Sequence, residues 1–259
     1  MEILEVKGLT KEFGGIKAVK DVNLSVRKDS ITGIIGPNGA GKTTFFNLLT
    51  GIYIPSSGEI VYHLKDTVAG KSIQPQKMPS HGIARTFQNI RLFKEMTVLE
   101  NVLLGNHPNL KYSVFSALFR LTPFFTGEEK AVGEAMALLK IFNLADKCDE
   151  KAKNLPYGDQ RRLEIARAMA SKPSLLLLDE PAAGMNPQET KELTQLIKWV
   201  KETFQLSVIL IEHDMSLVMN LCDDLFVFDY GNLIAQGTPA EIQVHPEVIK
   251  AYLGGENIA

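Results

Sequence analysis

The chain has 259 residues, 45% hydrophobic and 22% charged, enough to bury one large core or a core with a satellite subdomain. Its 28 Lys and Arg against 30 Asp and Glu leave a formal net charge of -2, which excludes general electrostatic coating of nucleic acid or an anionic membrane, so any acidic ligand must be held locally. Cys148 and Cys222 are too few and too far apart for a disulfide framework or redox pair, which points to a reduced, intracellular compartment; no secretory signal and no apolar run near the roughly 18 residues of a membrane span is found.

From the N-terminus, short apolar runs rich in β-branched residues alternate with helical patterns and turn signals, the layout of an α/β domain with a largely parallel sheet. Strands are expected at residues 2–6, 22–26, 31–35 and 60–62, the first few being candidates for an antiparallel β layer. Strand signals stop near Phe93, and residues 128–142 place Val132, Ala135, Met136, Leu139 and Phe142 at helical spacing. Residues 93–154 therefore read as an inserted helical subdomain, flanked by core segments 1–92 and 155–259 of a single domain. Within it, 112–125 carries Val114, Phe115, Leu118, Phe119, Leu121, Phe124 and Phe125. Subdomain core is the favoured reading of that stretch, with a docking face for a membrane partner as the alternative. A helix is expected at 160–171, and strands resume at 174–179, 207–212 and 225–230.

The chemistry begins after the strand at 31–35. Gly36-Pro37-Asn38-Gly39-Ala40-Gly41-Lys42-Thr43-Thr44 satisfies the G-x-x-x-x-G-K-[ST] pattern between a strand and a helix, the context the pattern requires. Glycines let the backbone curl so that successive N–H groups meet phosphate oxygens, and the helix N-terminus adds positive partial charge there. Lys42 then reaches the β- and γ-phosphates of a nucleotide, and the Thr43 hydroxyl is placed to ligate Mg²⁺.

A second constellation closes the apolar run Leu175-Leu176-Leu177-Leu178, where Asp179 and Glu180 follow. Such a run marks a strand buried on both faces whose C-terminal end reaches a ligand crevice. Successive strand side chains point oppositely, so the two acids divide the work: Asp179 suits the Mg²⁺ shell, Glu180 the attacking water. Two acids ending a strand more often simply face solvent; the phosphate loop reverses that preference, because a metal bridging phosphates needs an anionic oxygen ligand.

With these residues in hand the chain resembles the ATP-binding cassette ATPases over essentially its whole length. The resemblance rests on the order of Gly36 to Thr44, Gln88, Leu155-Pro156-Tyr157-Gly158-Asp159, Asp179-Glu180 and His213. It implies a P-loop NTPase core binding ATP and Mg²⁺, in which Phe13 stacks on adenine, Gln88 senses Mg²⁺ and the membrane subunit, and His213 touches the γ-phosphate. Residues 155–159 would grip the ATP held by the opposite subunit. There the family usually has Leu-Ser-Gly-Gly-Gln, and this chain departs at Pro156, Tyr157 and Asp159. Pro156 offers neither hydroxyl nor N–H, so Gly158 and the helix terminus must carry that contact. Asp159 suits a helix start, where an acid accepts orphan N–H bonds, and Asn186, which stands where the family has an aspartate, is read the same way.

A narrower resemblance is to the cassette subunits of branched-chain amino acid importers, carried by Gly82-Ile83-Ala84-Arg85-Thr86-Phe87-Gln88, Arg91-Leu92-Phe93, residues 157–167, Pro181-Ala182-Ala183-Gly184 and Ala251-Tyr252-Leu253-Gly254. It implies an ATPase driving solute import as a dimer with itself or a homologue. Its further partners would be integral-membrane permease subunits, on the cytoplasmic face of the membrane, with no direct solute contact. Urea or amide importers and a lipid-export cassette share some of these segments. A soluble, non-transport cassette ATPase is the rival from another class, and the absence of a basic stripe argues against one acting on nucleic acid.

Overall fold

The computed structural model describes residues 1–64, 67–70, 74–106 and 122–253, without the side chains of 122–126 and 253. Most of the aromatic stretch 112–125, and Gly254 of the tail, lie outside the described residues. The chain divides into two compact units, Met1–Arg85 with Ser174–Ala259, and Thr86–Pro173.

In the first unit, β3 (Ile31–Ile35), β7 (Leu175–Asp179) and β8 (Ser207–Ile211) are buried at every residue. They pair in parallel, with β9 (Asp224–Asp229) on the other side of β3. That is why these segments read as continuous β-branched and leucine runs: both sheet faces are covered, so no position needs a polar side chain. The sheet runs β10-β9-β3-β8-β7-β6, closed by β6 (Ile83–Arg85) at one edge and by β10 (Asn232–Gly237) at the other. Neither edge strand was foreseen. The first is too short to show a period, and the second, antiparallel to β9, is mostly polar or half-exposed.

A second sheet, β2-β1-β4-β5, is antiparallel at every pairing, as the sequence allowed for its first strands. Its strands β1 (Glu2–Phe13) and β2 (Ile16–Arg27) are far longer than 2–6 and 22–26. Register shifts between Val6 and Leu9 and between Leu9 and Lys11 break the alternation that a period-2 reading relies on. Strands β4 (Ser57–His63) and β5 (Thr67–Ala69) complete it. One apolar cluster joins both sheets to α1 (Lys42–Leu49), with Phe45, Phe46, Tyr62 and Phe228 among its largest members. The Tyr62 hydroxyl donates to the Leu49 carbonyl, so burial of this phenol leaves no unmet donor. Helices α5 (Pro187–Phe204), α6 (Met215–Leu221), α7 (Pro239–Gln243) and α8 (Pro246–Leu253) complete the unit.

The second unit is helical in its described part: α2 (Val98–Asn106), α3 (Thr122–Ile141) and α4 (Tyr157–Ala170). Val98, Val102, Ala135, Leu139, Phe142, Leu163 and Ala166 are buried, whereas Val132, which helical spacing placed with the apolar face, is 37% exposed. At Gly105 an added Cβ would come within 2.1 Å of the Arg167 carbonyl oxygen, so glycine is what lets α2 lie this close to α4. This unit is wider than residues 93–154, because α4, assigned to the core by sequence, packs on α2 and α3.

Candidate functional site

The phosphate-type loop lies between β3 and α1, as the pattern required. Gly36 has φ 147° and an added Cβ would sit 2.1 Å from the Phe228 carbonyl oxygen; at Gly41, φ 100°, it would sit 2.4 Å from that of Ala18. Both positions therefore need glycine on two grounds, conformation and backbone approach. Gly39, φ 79°, meets nothing within 4 Å, so its bare face lies open. The loop is braced from outside: the Gly231 amide donates to the Ala40 carbonyl at 2.9 Å, and Lys20 N donates to Gly231 O at 2.8 Å. Ala40 is buried while Asn38 and Thr43 are exposed and Thr44 half-buried.

Helix α1 opens on Gly41 with no side-chain cap and no acid in its first turn. Its uncapped N-terminus and Lys42 thus put two sources of positive potential at one spot. The Lys42 ammonium donates to the carbonyls of Gly36 at 2.7 Å and Pro37 at 2.8 Å, curling over the loop. Burial pulls its pKa below the usual lysine range, an effect the charge of Glu180 opposes.

Asp179 ends β7 with its side chain 6% exposed, and Arg85 Nη2 donates to its Oδ2 at 2.8 Å. The next residue, Glu180, leaves the strand at φ 46°, a left-handed conformation rare for a residue with a Cβ and one that concentrates at functional sites. Its amide donates to Ile211 O at 3.0 Å, pinning the turn to the end of β8. His213 Nδ1 lies 3.9 Å from Glu180 Oε2, and its side chain is 65% exposed.

Between them stands Glu212, which sequence reasoning treated only as the end of a strand. It is 1% exposed and accepts from the amides of Ala182 at 2.9 Å and His213 at 3.2 Å. Burial raises its pKa against the pull of those amides. The carboxylate thus ties the turn after Glu180 to the segment bearing His213. Its signal was an acid directly after the apolar run Val208-Ile209-Leu210-Ile211.

Phe13 ends β1 partly exposed, edge-on to Tyr53 at 5.1 Å between centroids, with the Lys11 ammonium 4.9 Å from its own. It is thus an accessible ring with a cation held at it. Gly36 to Thr44, Asp179, Glu180, His213 and Phe13 all belong to the first unit; Gln88 and residues 155–159 belong to the second.

In that second unit, Gln88 is exposed but its main chain is fixed. Arg161 Nη2 donates to the Gln88 carbonyl at 2.9 Å and Nη1 to that of Phe87 at 2.8 Å. Glu164, 2.8 Å from Arg161, accepts from the Arg91 amide at 3.1 Å, and both side chains of the pair are essentially inaccessible to solvent. Besides bonding each other, the two side chains bond the Phe87 and Gln88 carbonyls and the Arg91 amide, and such added hydrogen bonds are what make a buried charge pair tolerable. Leu155 is buried, Pro156 is the N-cap of α4, and Tyr157, Gly158 and Asp159 form its first turn. Helix α4 thus begins earlier than residue 160, since proline is compatible with a helix entrance. Asp159 accepts from Lys147 at 2.6 Å, so it answers the helix end as a first-turn charge and not as an N-cap acceptor. Asn186 does cap: it heads α5 in a reciprocal box with Glu189.

Residues 19–183 match the family model described as ABC transporter, and residues 232–257 the one described as branched-chain amino acid ATP-binding cassette transporter. The high-affinity branched-chain amino acid transport ATP-binding protein LivG of Escherichia coli (strain K12) is 47% identical over 252 residues, 97% of this chain and 98% of that protein. The counterpart BraF of Pseudomonas aeruginosa is 48% identical over 255 residues, with 97% and 98% covered. A solved structure of an ATP-binding cassette of an ABC transporter in its ADP conformation matches with a TM-score of 0.83 at 34% identity, covering 98% of this chain and 99% of that one.

Proposed function

The chain belongs to the ABC transporter family of ATP-binding cassettes, and from that premise we propose that it is the subunit that hydrolyses ATP to drive import of branched-chain amino acids. The observation that carries the ATPase reading is the Gly36–Lys42 loop, curled by two glycines that admit no Cβ at the end of a buried parallel strand, with the charge of Glu180 acting on Lys42. The solute class is supported by relatives of that printed function aligned over 97% of the chain.

In this reading the triphosphate draws the Lys42 ammonium from the loop carbonyls onto its β- and γ-oxygens and takes the N-terminus of α1 as its second anchor. The donors Thr43 and Asp179 fit Mg²⁺: both offer only hard oxygen, one is a buried carboxylate, and the phosphates complete a set that Mg²⁺ takes in just this mixed form. When bound, the ion would neutralise charge on the transferring phosphoryl group. Glu180 orients the attacking water and accepts its proton, while His213 supplies a donor to the γ-phosphate. Phe13 offers its exposed ring to the adenine base. Gln88 and residues 155–159, carried by the helical unit, serve as the sensor and as the contact to the nucleotide of a second cassette.

The chain works as one cassette domain: a nucleotide-holding core and a helical subdomain. Two copies, or this chain and a homologue, close on two nucleotides, and cleavage of the γ-phosphate loosens them. No helix among the described residues is long and apolar enough to cross a membrane. In this reading, supported by the transport relatives, the work is delivered to integral-membrane permeases from the cytoplasmic face. The test is reconstitution in liposomes with the membrane subunits that co-purify with the chain. ATP trapped inside the vesicles, acting on inward-facing cassettes, should drive accumulation of leucine, isoleucine or valine; accumulation of urea or amides instead would contradict the solute assignment.

A further inference from the structure

Arg85 has no part in the mechanism above, yet its guanidinium is buried and hydrogen-bonded to three side chains of the first unit. Its side chain is 6% exposed, and its two terminal nitrogens reach two different parts of the nucleotide machinery, Asp179 and the end of α1. Nη2 donates to Asp179 Oδ2 at 2.8 Å. Nη1 donates to Asn47 Oδ1 and to Thr50 Oγ1, each at 2.8 Å, at the C-terminal end of α1. The Thr50 hydroxyl donates onward to the Phe46 carbonyl at 3.0 Å, so its remaining lone pairs face the arginine, and the Phe46 ring lies 5.5 Å from the guanidinium carbon. The residue reaches this position from β6, where it is paired with Leu177 of β7.

A guanidinium is a rigid planar fork, so fixing one nitrogen on α1 fixes the direction of the other. We propose that Arg85 is a positioning residue for the metal-side carboxylate: by gripping Asp179 with one nitrogen and α1 with the other, it holds Asp179 in fixed register with Thr43, the hydroxyl at the opposite end of the same helix. The proposal rests on the reading of Asp179 and Thr43 as the Mg²⁺-side donors. Helix α1 is only eight residues long and packed into the core, so an acid referenced to its C-terminal end is referenced to its N-terminal end too. A lysine at this place would supply the charge and not the fork. Arg85 is thereby the outer-shell partner that a ligating carboxylate requires, supplied from an edge strand that no nucleotide motif includes.

The test compares ATP affinity of the full chain in EDTA and in Mg²⁺ by calorimetry; the ratio is the part of binding that depends on the metal. Arg85→Gln should cut this ratio about 10-fold or more, the usual scale for loss of an outer-shell partner, and Arg85→Lys should cut it by a smaller factor. Affinity in EDTA should stay within about twofold of the parent in both, because the loop and Lys42 are untouched. Should Arg85→Gln fail to fold, Arg85→Lys, which keeps a cation opposite Asp179, carries the test alone. Equal loss in EDTA and in Mg²⁺ would overturn the proposal, since a merely structural role predicts it. So would an unchanged ratio in the Arg85 variants while Asp179→Asn abolishes it. If Asp179→Asn itself leaves the ratio unchanged, the metal reading of Asp179 fails and takes the proposal with it.

Discussion

The two helix ends assigned to nucleotide, those of α1 and α4, are built on opposite electrostatic plans. Helix α1 opens on a left-handed glycine with no acid in its first turn and a lysine as its first residue. Helix α4 opens on Pro156, with Asp159 in the first turn and Lys147 bonded to that acid. An N-terminus carries roughly half a positive charge that an anion can neutralise. In α1 that potential is left for a ligand, and in α4 the chain has already supplied the anion. In the proposed reading the two ends contribute unequally: α1 would supply most of the attraction for phosphate, whereas α4 lacks the serine hydroxyl its family uses and keeps Gly158 buried.

Several variants would break or sharpen that contrast. The largest effect is expected on turnover. Glu180→Gln removes the base beside the α1 end and should lower steady-state ATP hydrolysis by about 100- to 10,000-fold, with ATP binding retained and an ATP-bound dimer visible on a sizing column. Normal turnover would remove Glu180 from its role. Next, Gly36→Ala places a Cβ against the Phe228 carbonyl in a conformation alanine avoids, and should destabilise the chain by about 2–3 kcal/mol in urea unfolding. A variant as stable as the parent would show that the curl of the loop does not depend on glycine.

At the other helix the effects shrink. Asp159→Asn, made in the Glu180→Gln background, removes the internal anion from α4 and should tighten ATP-driven dimerisation only about two- to fivefold, the scale of one helix-end charge; weaker dimerisation by sedimentation would mean that Asp159 assists the contact. Smallest in function is Asn186→Ala. Loss of the capping box on α5 should lower stability by about 1 kcal/mol while ATP turnover stays near that of the parent.

How far each region could be read from sequence follows the same physical divide. The loop from Gly36 to Thr44 was legible because its demands fall on consecutive residues, and β7 because burial on both faces writes itself as four leucines. Arg85 was quoted only as part of a family segment, since its partners Asn47, Thr50 and Asp179 come from separate stretches that only the fold assembles. Glu212 looked like a strand-end acid until the amides of Ala182 and His213 were seen to fill it. The lengths of β1 and β2 were hidden by bulges. The start of α4 was hidden by Pro156, whose ring excludes it from a helix interior and yet fits a helix entrance.

The central claim is that the α1 end, with Lys42 curled over its own loop, is the principal anchor for the triphosphate. Equilibrium ATP binding to Lys42→Ala, set beside the parent under identical Mg²⁺ and salt, tests it most directly. The account predicts a loss of affinity of about 100-fold or more, as expected when a charge-assisted phosphate contact worth near 3 kcal/mol is deleted. Undiminished binding by Lys42→Ala would contradict it.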